Sequence, residues 1–314
     1  MQGSNVIDRI TANMEKVIVD KRYAIELTLI TLICRGHILI EDVPGVGKTS
    51  LASALARSLN CSFKRIQFTP DIMPADITGF SVYSPKTGDF EYRPGAILCQ
   101  IVLADEINRT SPKTQSSLLE AMEEKQVTVD GQTYVLPEPF LVMATQNPVE
   151  YLGTYPLPEA QMDRFFMRIS MGYPGRVEEL RMVARFGQEN PLHSLRPVAD
   201  PGDIITLQAM AEQTYVDGKV GEYIVELVRH TRSNPYAALG ASPRASIALY
   251  KASQAWALFN GRNYVIPDDV VEMCPHVLTH RIVLTQEGKL KKVTQADVVD
   301  TALHSVRTPV ARRK

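Results

Sequence analysis

The run Pro44-Gly45-Val46-Gly47-Lys48-Thr49 stands between an apolar stretch and a helical pattern, and its residue types suit one task, holding a phosphate chain. Glycines let backbone N–H groups close around a phosphate, and Lys48 is long enough to reach the outer oxygens. The Thr49 hydroxyl, with Ser50 behind it, stands at the positive end of the following helix, where it can ligate Mg²⁺. The strict pattern G-x-x-x-x-G-K-[ST] asks for glycine at position 42, and Asp42 stands there instead. The entry to the loop must therefore differ, while the Gly-x-Gly-Lys-Thr core that meets phosphate is intact. A second signal is Ile101-Val102-Leu103-Ala104-Asp105-Glu106, an apolar run closed by two acids. Neighbouring residues on a strand point to opposite sides, so one carboxylate can serve a metal and the other a water. Asp105 is expected to hold Mg²⁺, and Glu106 to polarise the water that attacks the terminal phosphate.

Such residues work only if parallel strands carry them to a common edge. The first half of the chain alternates short apolar runs with helical patterns, which predicts an α/β domain with a parallel sheet. Strands are expected at His37–Glu41, Lys64–Phe68, Gln100–Ala104, Phe140–Thr145 and Phe166–Ser170. Helices are expected at Lys48–Leu59 and Pro112–Glu124, the second opened by Ser111 as cap and Pro112 in the first turn. Asp130-Gly131 within 126–135 is a short-hairpin signal, and the Gly-, Pro- and aromatic-rich stretch 76–95 is a second candidate hairpin excursion. Recurring Pro and Gly mark 176–202 as a linker. Beyond it, 203–314 reads as a smaller all-helical domain, so the nucleotide-binding domain spans 1–175. In that second domain Val220, Tyr223, Ile224, Leu227 and Val228 make one apolar stripe, Ser242-Pro243-Arg244 opens a helix that should stop near Gly261, and Pro267-Asp268-Asp269 opens the next.

Composition agrees with two ordinary globular domains: 314 residues, 45% hydrophobic and 22% charged. With 34 Lys+Arg against 35 Asp+Glu the net charge is −1, so nothing global draws the chain to polyanions. The amino terminus lacks a basic stretch followed by an apolar core, which predicts a cytoplasmic protein. The apolar run from Ala24 to Ile40 is broken by Glu26, Arg35 and His37, so no membrane insertion is expected. Cys34, Cys61, Cys99 and Cys274 form no C-x-x-C pair and read as reduced core residues. Arg307, Arg312, Arg313 and Lys314 read as a solvated tail.

Taken together, Gly45–Thr49, the run Leu103-Ala104-Asp105-Glu106-Ile107-Asn108-Arg109, Ala144-Thr145-Gln146-Asn147-Pro148, Asp163-Arg164-Phe165 and Ala241-Ser242-Pro243-Arg244 resemble the AAA+ ATPases, specifically the MoxR group. That resemblance implies a P-loop NTPase core with a helical lid, ATP or ADP with Mg²⁺ as cofactors, and Pro44 to Ser50 with Asp105 as the nucleotide-binding set. It gives Asn147 the part of the polar sensor that positions water. Arg164 becomes the arginine finger a neighbouring subunit inserts, with Arg168 close enough to compete, and Arg244 the second sensor, acting in cis or in trans. Stretch 76–95 becomes the helix-2 insert and 126–135 the hairpin before the first sensor. By the same resemblance the chain is an oligomer, a hexameric ring, that hydrolyses ATP to remodel or mature a protein client together with a von Willebrand factor A-domain partner.

Competing readings have their own residues. Asp76-Ile77-Thr78-Gly79 matches the D-x-x-G of GTPases, but no Asn-Lys-x-Asp guanine reader is present, so adenine is favoured. Cys274, His276 and His280 offer soft ligands without an evident fourth, and packed lid residues are the simpler reading. A nucleic-acid motor or helicase loader would share the core, although neutral charge and an acid at the 130–131 tip disfavour it. A nucleotide-gated assembly scaffold would need neither Glu106 nor Arg164.

Overall fold

The structure is a computed structural model that describes residues 2–147, 154–185 and 191–309; Pro148, Arg312, Arg313 and Lys314 of the motifs above lie outside them. The chain divides into two compact units. A sheet unit comprises Asp8–Leu157 and Ile169–Ile205; a helical unit comprises Met1–Ile7, Pro158–Arg168 and Thr206–Lys314. Among its described residues the segment 176–202, expected as a linker, carries helices at Arg176–Arg185 and Pro191–Ser194 and the start of another at Pro201. No helix among the described residues is long and apolar enough to cross a membrane.

Strands up to the unit boundary are β1 (Ile38–Glu41), β2 (Phe63–Gln67), β3 (Gly79–Tyr83), β4 (Phe90–Pro94), β5 (Ile101–Asp105), β6 (Gln126–Val129), β7 (Gln132–Val135), β8 (Leu141–Gln146) and β9 (Met167–Ile169). The helices are α1 (Gln2–Glu15), α2 (Arg22–Ile33), α3 (Lys48–Ser58), α4 (Pro74–Thr78), α5 (Pro112–Glu124), α6 (Glu159–Met162), α7 (Arg176–Arg185), α8 (Pro191–Ser194) and α9 (Pro201–Glu212). One five-stranded sheet has the order β2-β5-β8-β1-β9, and β2–β5, β5–β8 and β8–β1 pair in parallel. All five residues of β5 are buried, as are five of the six in β8, because these strands are covered on both faces. At the edge, β2 buries Ile66 and leaves Lys64, Arg65 and Gln67 exposed.

Local chemistry sets the remaining elements. Ser111 Oγ accepts from the Thr114 N–H and Pro112 occupies the first turn of α5, as its sequence predicts. Asp130 (φ 50°) and Gly131 (φ 79°) make the two-residue turn between β6 and β7, a conformation that requires two left-handed residues. The excursion over 76–95 is the antiparallel β3–β4 hairpin. Tyr92 of β4 stacks on Tyr134 of β7 with ring centroids 3.8 Å apart, so the two hairpins support each other. The D-x-x-G match resolves as the foot of this hairpin: the Asp76 carboxylate accepts from the Met73 N–H at 2.9 Å, and a side chain on Gly79 would run into the Arg93 carbonyl. At the foot of β1, His37 is wholly enclosed: Nε2 lies 3.0 Å from the Met122 carbonyl and Nδ1 accepts from the Val142 N–H at 3.0 Å. That pairing needs the neutral ring, and burial lowers the His37 pKa to about 4.

The helical unit is built on α10 (Gly218–Ser233), α11 (Pro243–Phe259), α12 (Pro267–Leu278), α13 (Gln286–Leu290) and α14 (Gln295–Ser305). The expected stripe Val220, Tyr223, Ile224, Leu227 and Val228 is buried on α10. Helix α11 ends at Phe259, with Gly261 in the left-handed region that releases the chain. The unit is not purely helical: β10 (Ala237–Leu239) and β11 (Val283–Leu284) pair antiparallel, runs too short for a sequence period to reveal. Among the described residues no three His, Cys, Asp or Glu side chains gather as a metal set, and His280 Nε2 lies 3.0 Å from the Phe165 carbonyl.

Candidate functional site

Parallel strands bring their carboxyl ends to one edge of the sheet, and there the sheet unit assembles its chemistry. The loop after β1, the acids that close β5 and the residue after β8 together line a cleft of about 350 Å³, formed by Pro44, Gly45, Gly47, Lys48 and Thr49 on one side and Asp105, Glu106 and Asn147 on the other. Gly45 (φ 86°) and Gly47 (φ 94°) take the left-handed conformations that a loop closing over an anion needs. Lys48 Nζ donates to the Asp42 carbonyl at 2.8 Å. Burial lowers the Lys48 pKa, opposed by the negative charges of Asp42, Asp105 and Glu106, which favour the ammonium.

Asp42, where the phosphate-loop pattern has glycine, has a definite task. Its Oδ2 accepts from the Met171 N–H at 2.5 Å, the Gly172 N–H at 2.7 Å and the Ser170 hydroxyl at 3.1 Å. Oδ1 accepts from the Val43 N–H at 3.0 Å. A 7% exposed carboxylate thus ties the end of β1 to the chain that leaves β9, while its carbonyl steadies Lys48. Glycine could not make that tie.

The two acids diverge by a different device from simple strand alternation. Asp105 is the last residue of β5, whereas Glu106 has left the strand with φ 58°, a left-handed conformation rare outside glycine and costly for this residue type. One hydroxyl fixes both: Thr145 Oγ1 donates to Asp105 Oδ1 at 2.6 Å and accepts from the Glu106 N–H at 2.8 Å. On its other oxygen Asp105 receives Arg65, from Nε at 3.1 Å and Nη2 at 2.6 Å. Glu106 Oε2 receives Gln67 Nε2 at 2.9 Å and Arg109 Nε at 3.1 Å. Sequence reading missed Thr145, Arg65 and Gln67 as parts of this site. A trace of Thr145 was available, as a hydroxyl at the last buried position of an apolar strand, beside Asn147. Arg65 and Gln67 belong to β2, and only the β2–β5 register brings them beside the acids.

The residues fit a magnesium ion. The donor set is of hard oxygens, the Thr49 hydroxyl and the Asp105 carboxylate, and a guanidinium already occupies the carboxylate as a stand-in cation. Thr49 and Asp105 would hold the ion, which would supply charge neutralisation at the outer phosphates. A second cleft of about 720 Å³ adjoins the same loop through Gly45, Val46, Gly47 and Ser50, with Val17, Ile18 and Met171 among its apolar walls. It suits a flat, apolar base. The sequence offered no signal for Val17 and Ile18, which lie between helices far from any motif. Arg164 and Arg244 are placed in the helical unit, Arg164 after α6 and Arg244 in the first turn of α11; Arg168 lies within β9.

The comparisons agree with this geometry. The family described as "ATPase family associated with various cellular activities (AAA)" matches residues 37–167, and an AAA lid domain matches residues 229–302. The uncharacterized protein YeaC of Bacillus subtilis is 52% identical over 98% of this chain and 96% of its own. Chaperone MoxR1 of Mycobacterium tuberculosis is 40% identical over 97% of this chain and 83% of its own. A crystal structure of a putative ATPase from Cytophaga hutchinsonii superimposes with a TM-score of 0.92 at 39% identity, covering 98% of this chain and 96% of that one. A parallel sheet ending in a phosphate loop and paired acids, followed by a lid, with relatives of this kind along the full chain, leaves one assignment: the chain belongs to the MoxR family of AAA+ ATPases.

Proposed function

We propose that the chain hydrolyses ATP to ADP and phosphate with Mg²⁺ and uses the cycle for chaperone-like remodelling or maturation of protein complexes, working as a homo-oligomeric ring with a von Willebrand factor A-domain partner. The observation that carries the catalytic part is the Thr145 bridge, which orients Asp105 and Glu106 apart across the phosphate-sized cleft. Asp105, with Thr49, would hold the metal; Glu106, held by Gln67 and Arg109 in the cleft that Asn147 also lines, is the base that polarises water. Lys48 and the N–H groups of Gly45 to Ser50 bind the phosphates, and the apolar cleft takes the base.

Arg164 is the cation that reaches a neighbouring subunit's terminal phosphate, where a rigid, permanently charged fork best meets accumulating charge. Its place on the turn after α6 favours it over Arg168, which is committed to β9. Arg244 senses the nucleotide from the lid. The chaperone role rests on the resemblance to MoxR1, named a chaperone.

Glu106→Gln tests the reading. Binding of a fluorescent ADP analogue should be retained while phosphate release falls by ~10² or more. Equal turnover in parent and variant would remove Glu106 from the mechanism.

A further inference from the structure

The helical unit contains a buried ion pair that the hydrolytic mechanism leaves unused. Arg281 closes the short turn after α12, and its side chain is 3% exposed. Nε donates to Asp163 Oδ1 at 2.7 Å. Nη2 donates to the carbonyls of Phe165 at 2.7 Å and Asp163 at 3.4 Å, and Nη1 to those of Phe166 at 3.2 Å and of Val277. His280 Nε2 is directed at the Phe165 carbonyl as well. One guanidinium therefore grips the main chain at 163, 165 and 166, on both sides of Arg164.

The second Asp163 oxygen leads to the other arginine. Asp163 Oδ2 accepts from Ser242 Oγ at 2.9 Å. Ser242 is the N-cap residue of α11, whose first turn carries Arg244, yet its hydroxyl does not cap the helix. The helix starts at the expected Ser242-Pro243, but Asp163 draws the serine hydroxyl away from the orphan N–H groups of the first turn. A helix that forgoes its own N-cap hydrogen bond for a distant carboxylate is held for position.

Stability alone does not explain the arrangement, since well-packed apolar residues of similar volume serve a core at least as well as a buried ion pair. An apolar cluster cannot hold three carbonyls of a loop and the first turn of a helix in one register. We propose that Asp163 and Arg281 are positioning residues that lock Arg164 and Arg244 into a single rigid pair, so that both arginines meet nucleotide phosphates with fixed spacing. This rests on the reading of Arg164 as a cation acting across a subunit junction.

Mixed oligomers test it. A Lys48→Ala chain cannot hold nucleotide and serves only as donor of Arg164; an Arg164→Ala chain holds nucleotide and serves as acceptor. Mixing the two should restore turnover. Adding Arg281→Lys to the donor keeps the charge but removes the fork. At equal incorporation, rescued kcat should fall about tenfold or more, with KM and the acceptor's affinity for a fluorescent ADP analogue unchanged, as for a group displaced by a fraction of an ångström. Ser242→Ala in the donor, which cuts only the link to α11, should lower rescue about threefold. Full rescue by the Arg281→Lys donor overturns the proposal. Should that donor fail to enter mixed oligomers, Ser242→Ala decides alone, and rescue equal to that of the unaltered donor overturns it. If the unaltered donor gives no rescue, the junction reading of Arg164 is what fails, a result distinct from either.

Discussion

In the sheet unit Asp105 meets Arg65 at 2.6 Å, and in the helical unit Asp163 meets Arg281 at 2.7 Å; the Arg65 side chain is 46% exposed and that of Arg281 3%. The lengths are alike and the surroundings are not. Around Arg65 lie Gln67, solvent-facing surface and an open cleft, so its charge is screened and its partner can be exchanged for another cation at small cost. Around Arg281 lie carbonyls on nearly every donor, so no exchange is available without a buried charge losing its partner. In the proposed function the site that admits metal and phosphate has the provisional pair, and the segment that presents Arg164 has the permanent one.

The largest effect that would break this contrast comes from Arg281→Met. It removes the guanidinium from the Asp163 carboxylate, which keeps the Ser242 hydroxyl on its other oxygen, and should cost about 3–5 kcal/mol in urea unfolding of the helical unit. Adding Asp163→Asn to that variant should recover part of the loss, because both charges are then gone. A loss below about 1 kcal/mol for Arg281→Met would mean that water reaches the pair and that the two units do not differ in kind.

The next effect concerns buried histidine, which both units contain. His37 is held neutral by burial, with its pKa lowered to about 4. His280 is pushed well below its ordinary value by burial and by the Arg281 cation beside it. Folded protein therefore refuses a proton that the unfolded chain accepts. The contribution of His37 is complete above an ordinary histidine pKa of about 6.5, is lost as pH falls from there toward about 4, and is level below that. At about 1.4 kcal/mol for each tenfold step in acidity, the loss approaches about 3 kcal/mol. Unfolding free energies measured from pH 7 to 4 should show this slope in the parent and a shallower one in His37→Gln. Parallel slopes would mean that His37 titrates normally in the fold.

Much of this architecture is local and so was legible. Gly45–Thr49, the all-apolar run ending in Asp105-Glu106, the Asp130-Gly131 turn and the α10 stripe each declare their conformation within a few residues, and the structure has them there. What stayed hidden depends on chain segments far apart. Asp42 spans to Met171 and Gly172, Thr145 to both acids, and Ser242 to Asp163. In each case the side chain had a plausible local duty, as a loop entrance, a strand residue or a helix cap, and a partner distant in the chain took precedence over it. The left-handed Glu106 was hidden for a related reason. Strand alternation predicts a divergence of two acids, and the fold achieves it by ending the strand at Asp105 and fixing the left-handed Glu106 by its N–H.

The smallest expected effect gives the sharpest comparison. Arg65→Gln removes the guanidinium from Asp105 but leaves the Thr145 hydroxyl on the other oxygen, so nucleotide-free protein should lose about 1 kcal/mol or less. Magnitude alone would not separate a weak pair from a tolerant site, but salt does. At about 1 M salt the screening length shrinks to ~3 Å, and the difference between parent and Arg65→Gln should vanish because the pair stands in solvent reach. The deficit of Arg281→Met should survive the same salt, because ions cannot enter where the arginine is enclosed by main-chain oxygens. If both deficits faded together, the Asp163–Arg281 pair would be as exchangeable as Asp105–Arg65, and the segment around Arg164 would have to be held by something other than that fork.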